Sequence, residues 1–345
     1  MKTKGNKVMK KYLLPHGKNS YKANLHCHTQ ASDGKYTPEE TKRMYKERGY
    51  SILAFTDHNI MVDNSHLIED DFLTLNGVEY NINMKPYQAP RGSRCSAEFN
   101  FIAPTPDTKM VCFNKKYVMY TKPEWMEKAF VTEDEEPFER YYSPECVNAM
   151  IQVALDAGCF VSYNHPLASQ ENYLAYSRYK GMHAMEILNY GSEHHHNLGY
   201  APMVYDDILK TGNIISCIAT DDNHSEEGAF GGYVMVQADN LEYTTVVDAL
   251  KRGDFYSSSG AVIHDIWYED GYVHITCDDA EAVFLNTGTT FNGGAYMKDG
   301  KPVTEASFKL HPLMKYLRFT VRDTNGKMAW SNAYPITEFL HEIEE

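Results

Sequence analysis

Short apolar runs alternate with amphipathic stretches over the first two-thirds of the chain. Lys22–His26, Ser51–Thr56, Phe72–Val78, Cys159–Tyr163, Ala184–Leu188, Ile214–Ala219 and Tyr233–Gln237 read as buried strands. Between them, helix start and stop signals recur. Thr37-Pro38-Glu39-Glu40 joins an N-cap threonine, a proline at the first helical position and a glutamate at the third, and Gly49 ends that helix. Ser143-Pro144 opens a second helix that ends near Gly158, and a third spans about Thr244 to Lys251 before Gly253. Strands this apolar, separated by helices, pair in parallel, and this many units favour a closed or nearly closed barrel.

From Asn81 to Tyr142 the pattern breaks. The stretch holds Pro86, Pro90, Pro104, Pro106 and an acidic run from Glu133 to Glu136. A connection that long suits a lid, a substrate loop or an inserted subdomain. After Ser259-Gly260 the texture changes again. Val262–Tyr268, Tyr272–Cys277, Ala282–Leu285, Ala306–Leu310 and Tyr316–Arg322 read as short strands, separated by turns such as Glu269-Asp270-Gly271 and Asp323-Thr324-Asn325-Gly326. The expected organisation is an α/β barrel domain over 20–261, with an insertion at 81–142, then a small antiparallel β-sandwich over 262–345. Tyr296, Tyr316 and Trp330 are the aromatic residues that could form a binding row on that sandwich, or its core.

The 345 residues suit a barrel-sized domain with an appendage. A formal net charge of −14 opposes tight binding of long nucleic acid, which needs basic patches. Seven cysteines without close pairing favour free thiols in a reducing compartment. The basic stretch Met1 to Leu14 has no apolar core like that of a secretory signal, and no run is long enough to cross a bilayer. The expectation is a cytoplasmic protein.

The chemistry-bearing residues gather at the ends of the apolar runs. His26 and His28 stand one residue apart, so on a strand both imidazoles face one way and Cys27 the other, which makes thiolate catalysis there unattractive. Ser32-Asp33-Gly34, Thr56-Asp57-His58-Asn59, Gly77-Val78-Glu79, Asn164-His165-Pro166 and Asp221-Asp222-Asn223-His224 follow in order. In parallel α/β barrels, chemistry collects at the C-terminal strand ends. Imidazoles with carboxylates there make a site for divalent metals such as zinc, manganese or iron.

This ordered set resembles the motifs of the PHP (polymerase and histidinol phosphatase) superfamily over roughly residues 20–260. The run from Asp248 to Gly260, with the β-rich tail after it, looks like the two-domain bacterial branch. The resemblance implies a distorted (β/α)7 barrel holding two or three divalent ions that hydrolyse phosphoesters. It implies as ligands His26, His28, Asp33, His58, Glu79, His165, Asp222 and His224, with Glu79 able to bridge two ions. Asp33, His58 and His165 are the candidates to serve catalysis directly. Such a pair of ions binds and acidifies a water and clamps phosphoryl oxygens, so no side-chain nucleophile is needed. Many relatives carry a histidine after the glutamate strand, where Glu98 stands in this chain.

Other residues carry less specific signals. Asp57 and Asp221 suit orienting roles, and Glu186 and Asn189 close another apolar run. Arg91, Arg94 and Arg178 are the cations best placed to capture phosphate, with a surface role as the alternative. His194-His195-His196 reads as a solvated loop, from which His196 could reach substrate. The expected activity is hydrolysis of a small phosphomonoester or nucleotide. The alternatives are an oligonucleotide-end phosphodiesterase, a carbamate or amide hydrolase on the same metals, and a metal-stabilised binding module without catalysis.

Overall fold

The computed structural model describes residues 10–85, 95–131 and 138–340. The chain divides into two compact units, one of Asn19–Ser257 and one of Met1–Lys18 with Ser258–Glu345.

In the larger unit the sequence pattern becomes β1 (Asn19–Asn24), α1 (Pro38–Lys46), β2 (Ile52–Phe55), β3 (Leu73–Asn83) and β4 (Ser96–Ile102). It continues with α2 (Pro144–Asp156), β5 (Phe160–Tyr163), β6 (Ala184–Asn189), α3 (Tyr190–His196), α4 (Pro202–Lys210), β7 (Ser216–Thr220), β8 (Tyr233–Ala238) and α5 (Tyr243–Arg252). Strands β1, β2 and β3 pair in parallel, as do β5, β6 and β7. Strand β4 runs antiparallel between β3 and β5, and β8 runs antiparallel to β1. Main-chain bonds also tie the segment after β7 to the segment after β1. The Asp222 N–H donates to His26 O at 3.0 Å and the His28 N–H to Asn223 O at 3.1 Å.

Apolar positions alternate across these strands as the period of two requires. Ala23, Leu25, Ile52, Ala54, Leu73 and Leu75 join one cluster, which Val246, Val247 and Leu250 of α5 cover. Cys27, Leu53 and Phe55 join the opposite one, against Tyr45 of α1. The Cys27 thiol is therefore turned from its histidine neighbours.

Four sequence expectations change. Strand β4 lies inside the stretch read as patternless; Ala97, Phe99 and Phe101 are fully buried at alternate positions, and that period holds it in the sheet. The three consecutive histidines belong to α3 rather than a loop. The Asn189 side chain accepts the Ser192 N–H and starts the helix, while Asn197 in left-handed conformation ends it. In the smaller unit, the runs read as Tyr272–Cys277 and Ala282–Leu285 form one strand, Tyr272–Asn286, whose register shifts absorb the residues between them. Tyr316 and Trp330 are buried and Tyr296 is exposed, so the three make no aromatic row. Strand pairing in this unit is antiparallel at Lys11–Tyr12, Ile263–Glu269, Tyr272–Asn286, Val303–Lys309 and Tyr316–Asp323. All seven cysteines are free and buried. Among the described residues no helix is long and apolar enough to cross a membrane. The acidic run 133–136 lies outside the described residues.

Helix α1 starts on a complete capping box. The Glu40 N–H donates to the Thr37 hydroxyl at 3.3 Å and the Thr37 N–H to the Glu40 carboxylate at 3.0 Å. Thr37→Ala is expected to lower stability by about 1 kcal/mol, read as a drop in the urea midpoint without change of slope.

Candidate metal centre

Strand ends bring the predicted residues into one cluster. His26 and His28 follow β1, His58 follows β2, Glu79 lies on β3, His165 follows β5, and Asp222 and His224 follow β7. His26, His28, Glu79 and Asp222 form one group with ligand atoms within 4.8 Å of one another. His28, Asp33, His58 and His224 form a second, and His58, Glu79 and Glu98 a third. His165 joins through Glu79, its Nε2 lying 3.1 Å from Glu79 Oε1, 3.8 Å from Glu98 and 3.8 Å from Asp222. All eight ligand candidates therefore meet in one place. Glu98 meets them where the resemblance implied a histidine.

Local backbone explains the convergence. Gly34 has no room for a side chain, since a Cβ there would stand 2.4 Å from the His28 carbonyl oxygen. Its N–H donates to Thr29 O at 2.8 Å, closing the turn that carries Asp33. Asn59 (φ 54°), His165 (φ 23°) and Asp222 (φ 52°) adopt left-handed conformations that side chains disfavour. Backbone held this way is costly, and at these three positions it coincides with the cluster of polar groups.

A layer of polar partners orients the cluster. His26 Nδ1 donates to Glu186 at 2.7 Å, so its Nε2 is the nitrogen facing His28. Glu186 is fully buried and also accepts from Thr220 Oγ1 at 2.6 Å, the His165 N–H at 2.8 Å and Asn189 at 2.9 Å. Asp57 accepts from the Thr29 N–H at 2.7 Å, the Thr29 hydroxyl at 2.8 Å and the Ser32 hydroxyl at 2.7 Å, fixing the loop before Asp33. Asp221 accepts the N–H groups of Phe230, Gly231 and Gly232, each at 2.9 Å, and the Tyr45 hydroxyl at 2.8 Å, anchoring the loop that bears His224. Ser169 meets His165 Nδ1 at 2.9 Å and Asn164 donates to Glu79 at 2.8 Å. Tyr45 and Ser169 carry no local signal in the sequence, because each meets its partner only through the fold.

Three buried atoms of the cluster are left without a hydrogen bond: Glu79 Oε2, Asp222 Oδ1 and His58 Nδ1. His58 Nδ1 lies 3.0 Å from Glu79 Oε2 without the alignment of a hydrogen bond. His26 Nε2 and His28 Nε2 face each other at 3.1 Å. Orphaned carboxylate oxygens set among imidazole nitrogens are costly, and a shared cation satisfies all of them. The donor set fits divalent metals.

The electrostatics agree. Burial alone would lower His58, yet the Glu79 charge lifts it to about 9, and His165, opposed by burial, is lifted to about 10 by its bond to Glu79. Burial would raise Asp33, but the bond from His224 and the neighbouring imidazoles bring it down to about 2. Burial and the Glu79 charge push Glu98 up.

The remaining candidates separate. His196 is exposed on α3, beside a recess that Asp222 and His224 also line. Arg178 pairs with Glu145 along a surface groove of about 690 Å³ whose lining includes none of the cluster residues. Arg91 and Arg94 lie outside the described residues. Arg140, which the sequence did not single out, is buried; its guanidinium donates to the Asn59 side chain and to Asn81 O, with the face of Tyr117 4.3 Å away.

Residues 24–105 match the family model of the PHP domain. That part of the chain is similar to a PHP domain. No curated protein matches the chain. Among solved structures, it is similar to a two-domain protein from Bacteroides vulgatus ATCC 8482 containing a predicted PHP-like metal-dependent phosphoesterase. The two share 14% identity over 95% of this chain and 98% of that one, with a TM-score of 0.45. A predicted metal-dependent phosphoesterase from Bifidobacterium adolescentis ATCC 15703 is similar at 12% identity, covering 67% and 94%, with a TM-score of 0.37. An amidohydrolase from Chromobacterium violaceum is similar at 14% identity, covering 59% and 88%, with a TM-score of 0.34.

Three outcomes follow for this centre. At neutral pH the imidazoles of His58 and His165 hold protons that a metal must displace, so binding releases protons and tightens as pH rises toward about 9 to 10. Calorimetry in buffers of different ionisation enthalpy reads this; an enthalpy independent of buffer contradicts it. In the metal-free protein both pKa values are raised on folding, so their stabilisation is fully present below about pH 6.5 and is lost as pH climbs through about 9 to 10. Separately, Asp57→Asn is expected to weaken metal affinity by about 10- to 100-fold with little loss of secondary structure, read by competition with a chelating dye and by circular dichroism.

Proposed function

We propose that this chain is a metal-dependent phosphoesterase that hydrolyses a small phosphomonoester, its larger unit forming a distorted (β/α)7 PHP-type barrel and its C-terminal part a β-sandwich. The observation that carries the reading is the orphaned pair Glu79 Oε2 and Asp222 Oδ1, buried among converging imidazoles at the strand ends. The main-chain bonds between 222–223 and 26–28 support the barrel. The similarity of residues 24–105 to the PHP domain supports a phosphoester as the bond broken.

Two or three ions of manganese, zinc or iron fit the ligands. One would be held by His26, His28, Glu79 and Asp222, another by Asp33, His58 and His224, and a third by Glu79, Glu98 and His165. Bound there, they supply Lewis acidity toward phosphoryl oxygens and a water acidified for in-line attack. The chain's own residues do the rest by position. Glu186 holds His26 in the tautomer whose Nε2 faces inward, and Ser169 fixes the His165 ring. Asp57 sets the loop that delivers Asp33, and Asp221 the loop that delivers His224. Pre-set ligands spare the reaction the cost of ordering them.

Reconstituted with manganese, zinc or iron, the protein is expected to hydrolyse p-nitrophenyl phosphate faster than bis(p-nitrophenyl) phosphate. His28→Ala should cut turnover by about 100-fold or more while leaving the far-ultraviolet spectrum unchanged. Diester preference would redirect the reading to oligonucleotide ends or cyclic nucleotides. Undiminished turnover in His28→Ala would contradict it.

A further inference from the structure

A recess of about 200 Å³ adjoins the cluster. Asp222 and His224, both ligand candidates, form part of its wall. The other side chains on it are Ser192, His195 and His196 from α3, and Ser225 and Glu227 from the loop after β7. Each offers a hydrogen-bond donor, an acceptor or both. Gly191 completes the lining and has no room for a side chain, since a Cβ there would stand 2.7 Å from the Asp221 carbonyl oxygen. No aliphatic side chain and no Phe, Tyr or Trp is present among the described residues of this wall.

We infer that this recess takes the hydroxyl-bearing part of a small sugar or polyol phosphate, with its phosphoryl group toward Asp222 and His224. The inference rests on the phosphoesterase reading and names its substrate class. A nucleobase brings flat apolar faces that call for aromatic or aliphatic walls, and this wall provides none. A hydroxyl both donates and accepts. Glu227 accepts from it, the two serines do either, and the imidazoles of His195 and His196 each offer one nitrogen of each kind when neutral. The volume holds roughly six or seven water-sized groups, which suits a short polyol chain or one sugar ring. The loop is shaped for the task. Ser225 Oγ donates to Glu227 O at 3.2 Å, and Glu227 Oε1 lies 3.8 Å from His194 Nε2, which turns its carboxylate toward α3.

The test compares kcat/KM of the manganese-loaded protein for glycerol 3-phosphate, ribose 5-phosphate and glucose 6-phosphate against AMP and p-nitrophenyl phosphate. At least one polyol ester should exceed AMP by about tenfold or more. Glu227→Gln should lower the ratio of polyol-ester to aryl-ester kcat/KM by about tenfold. A non-hydrolysable phosphonate analogue of the preferred ester, titrated calorimetrically, should bind the variant correspondingly more weakly. AMP turned over as well as every polyol ester, or a ratio and phosphonate affinity unmoved by Glu227→Gln, would overturn the inference. Loss of hydrolysis for every ester would overturn the phosphoesterase reading instead. The phosphonate titration would then decide for the recess alone: tighter binding to wild type than to Glu227→Gln supports it, and equal or no binding overturns it.

Discussion

Glu79 carries a negative charge at a position with no exposure, and four imidazoles lie around it. His26, His28, His58 and His165 come within 3.0 to 3.3 Å of its oxygens. A buried carboxylate is costly unless cations or donors surround it. The charge alone would push its pKa up through burial, yet the His26 and His58 imidazoles hold it well below the usual carboxylate range. The three strand ends that deliver those imidazoles are thus tied to one point. Even so, Oε2 lacks a hydrogen bond, so compensation by the protein's own groups stays incomplete, and a divalent ion would complete it.

Around that point the fold places a second ring of buried carboxylates, each of which accepts at least one main-chain N–H. Glu186 accepts the main-chain N–H of His165, and Asp57 and Asp221 accept the N–H groups of the loops that carry Asp33 and His224. Each is buried, and each would leave several donors unpaired if lost. This explains how irregular loops with left-handed residues at Asn59, His165 and Asp222 stay in one conformation.

Much of the centre was legible in the sequence, because its ligands are local to strand ends and the strands announce themselves as apolar runs. Spacing put the His26–His28 alternation, Glu79, His165 and the Asp222–His224 segment at strand ends, and the PHP resemblance implied that they act together. Strand β4 was hidden by the prolines on either side of it, although its alternating Ala97, Phe99 and Phe101 are buried. The α3 histidines looked like a loop because helix start there depends on the Asn189 side chain, which also closes β6. Arg178 looked free in sequence and is held by Glu145, a partner 33 residues away that no local pattern predicts. Tyr45 touches Asp221 across 176 residues of chain, and such contacts arise only from the tertiary fold.

The most direct test of the metal centre is anomalous scattering from crystals of the protein grown with manganese, recorded on either side of the manganese edge. The account predicts peaks lying between His26, His28, Glu79 and Asp222, and between Asp33, His58 and His224. Peaks elsewhere, or none at a concentration where calorimetry shows saturation, would contradict it.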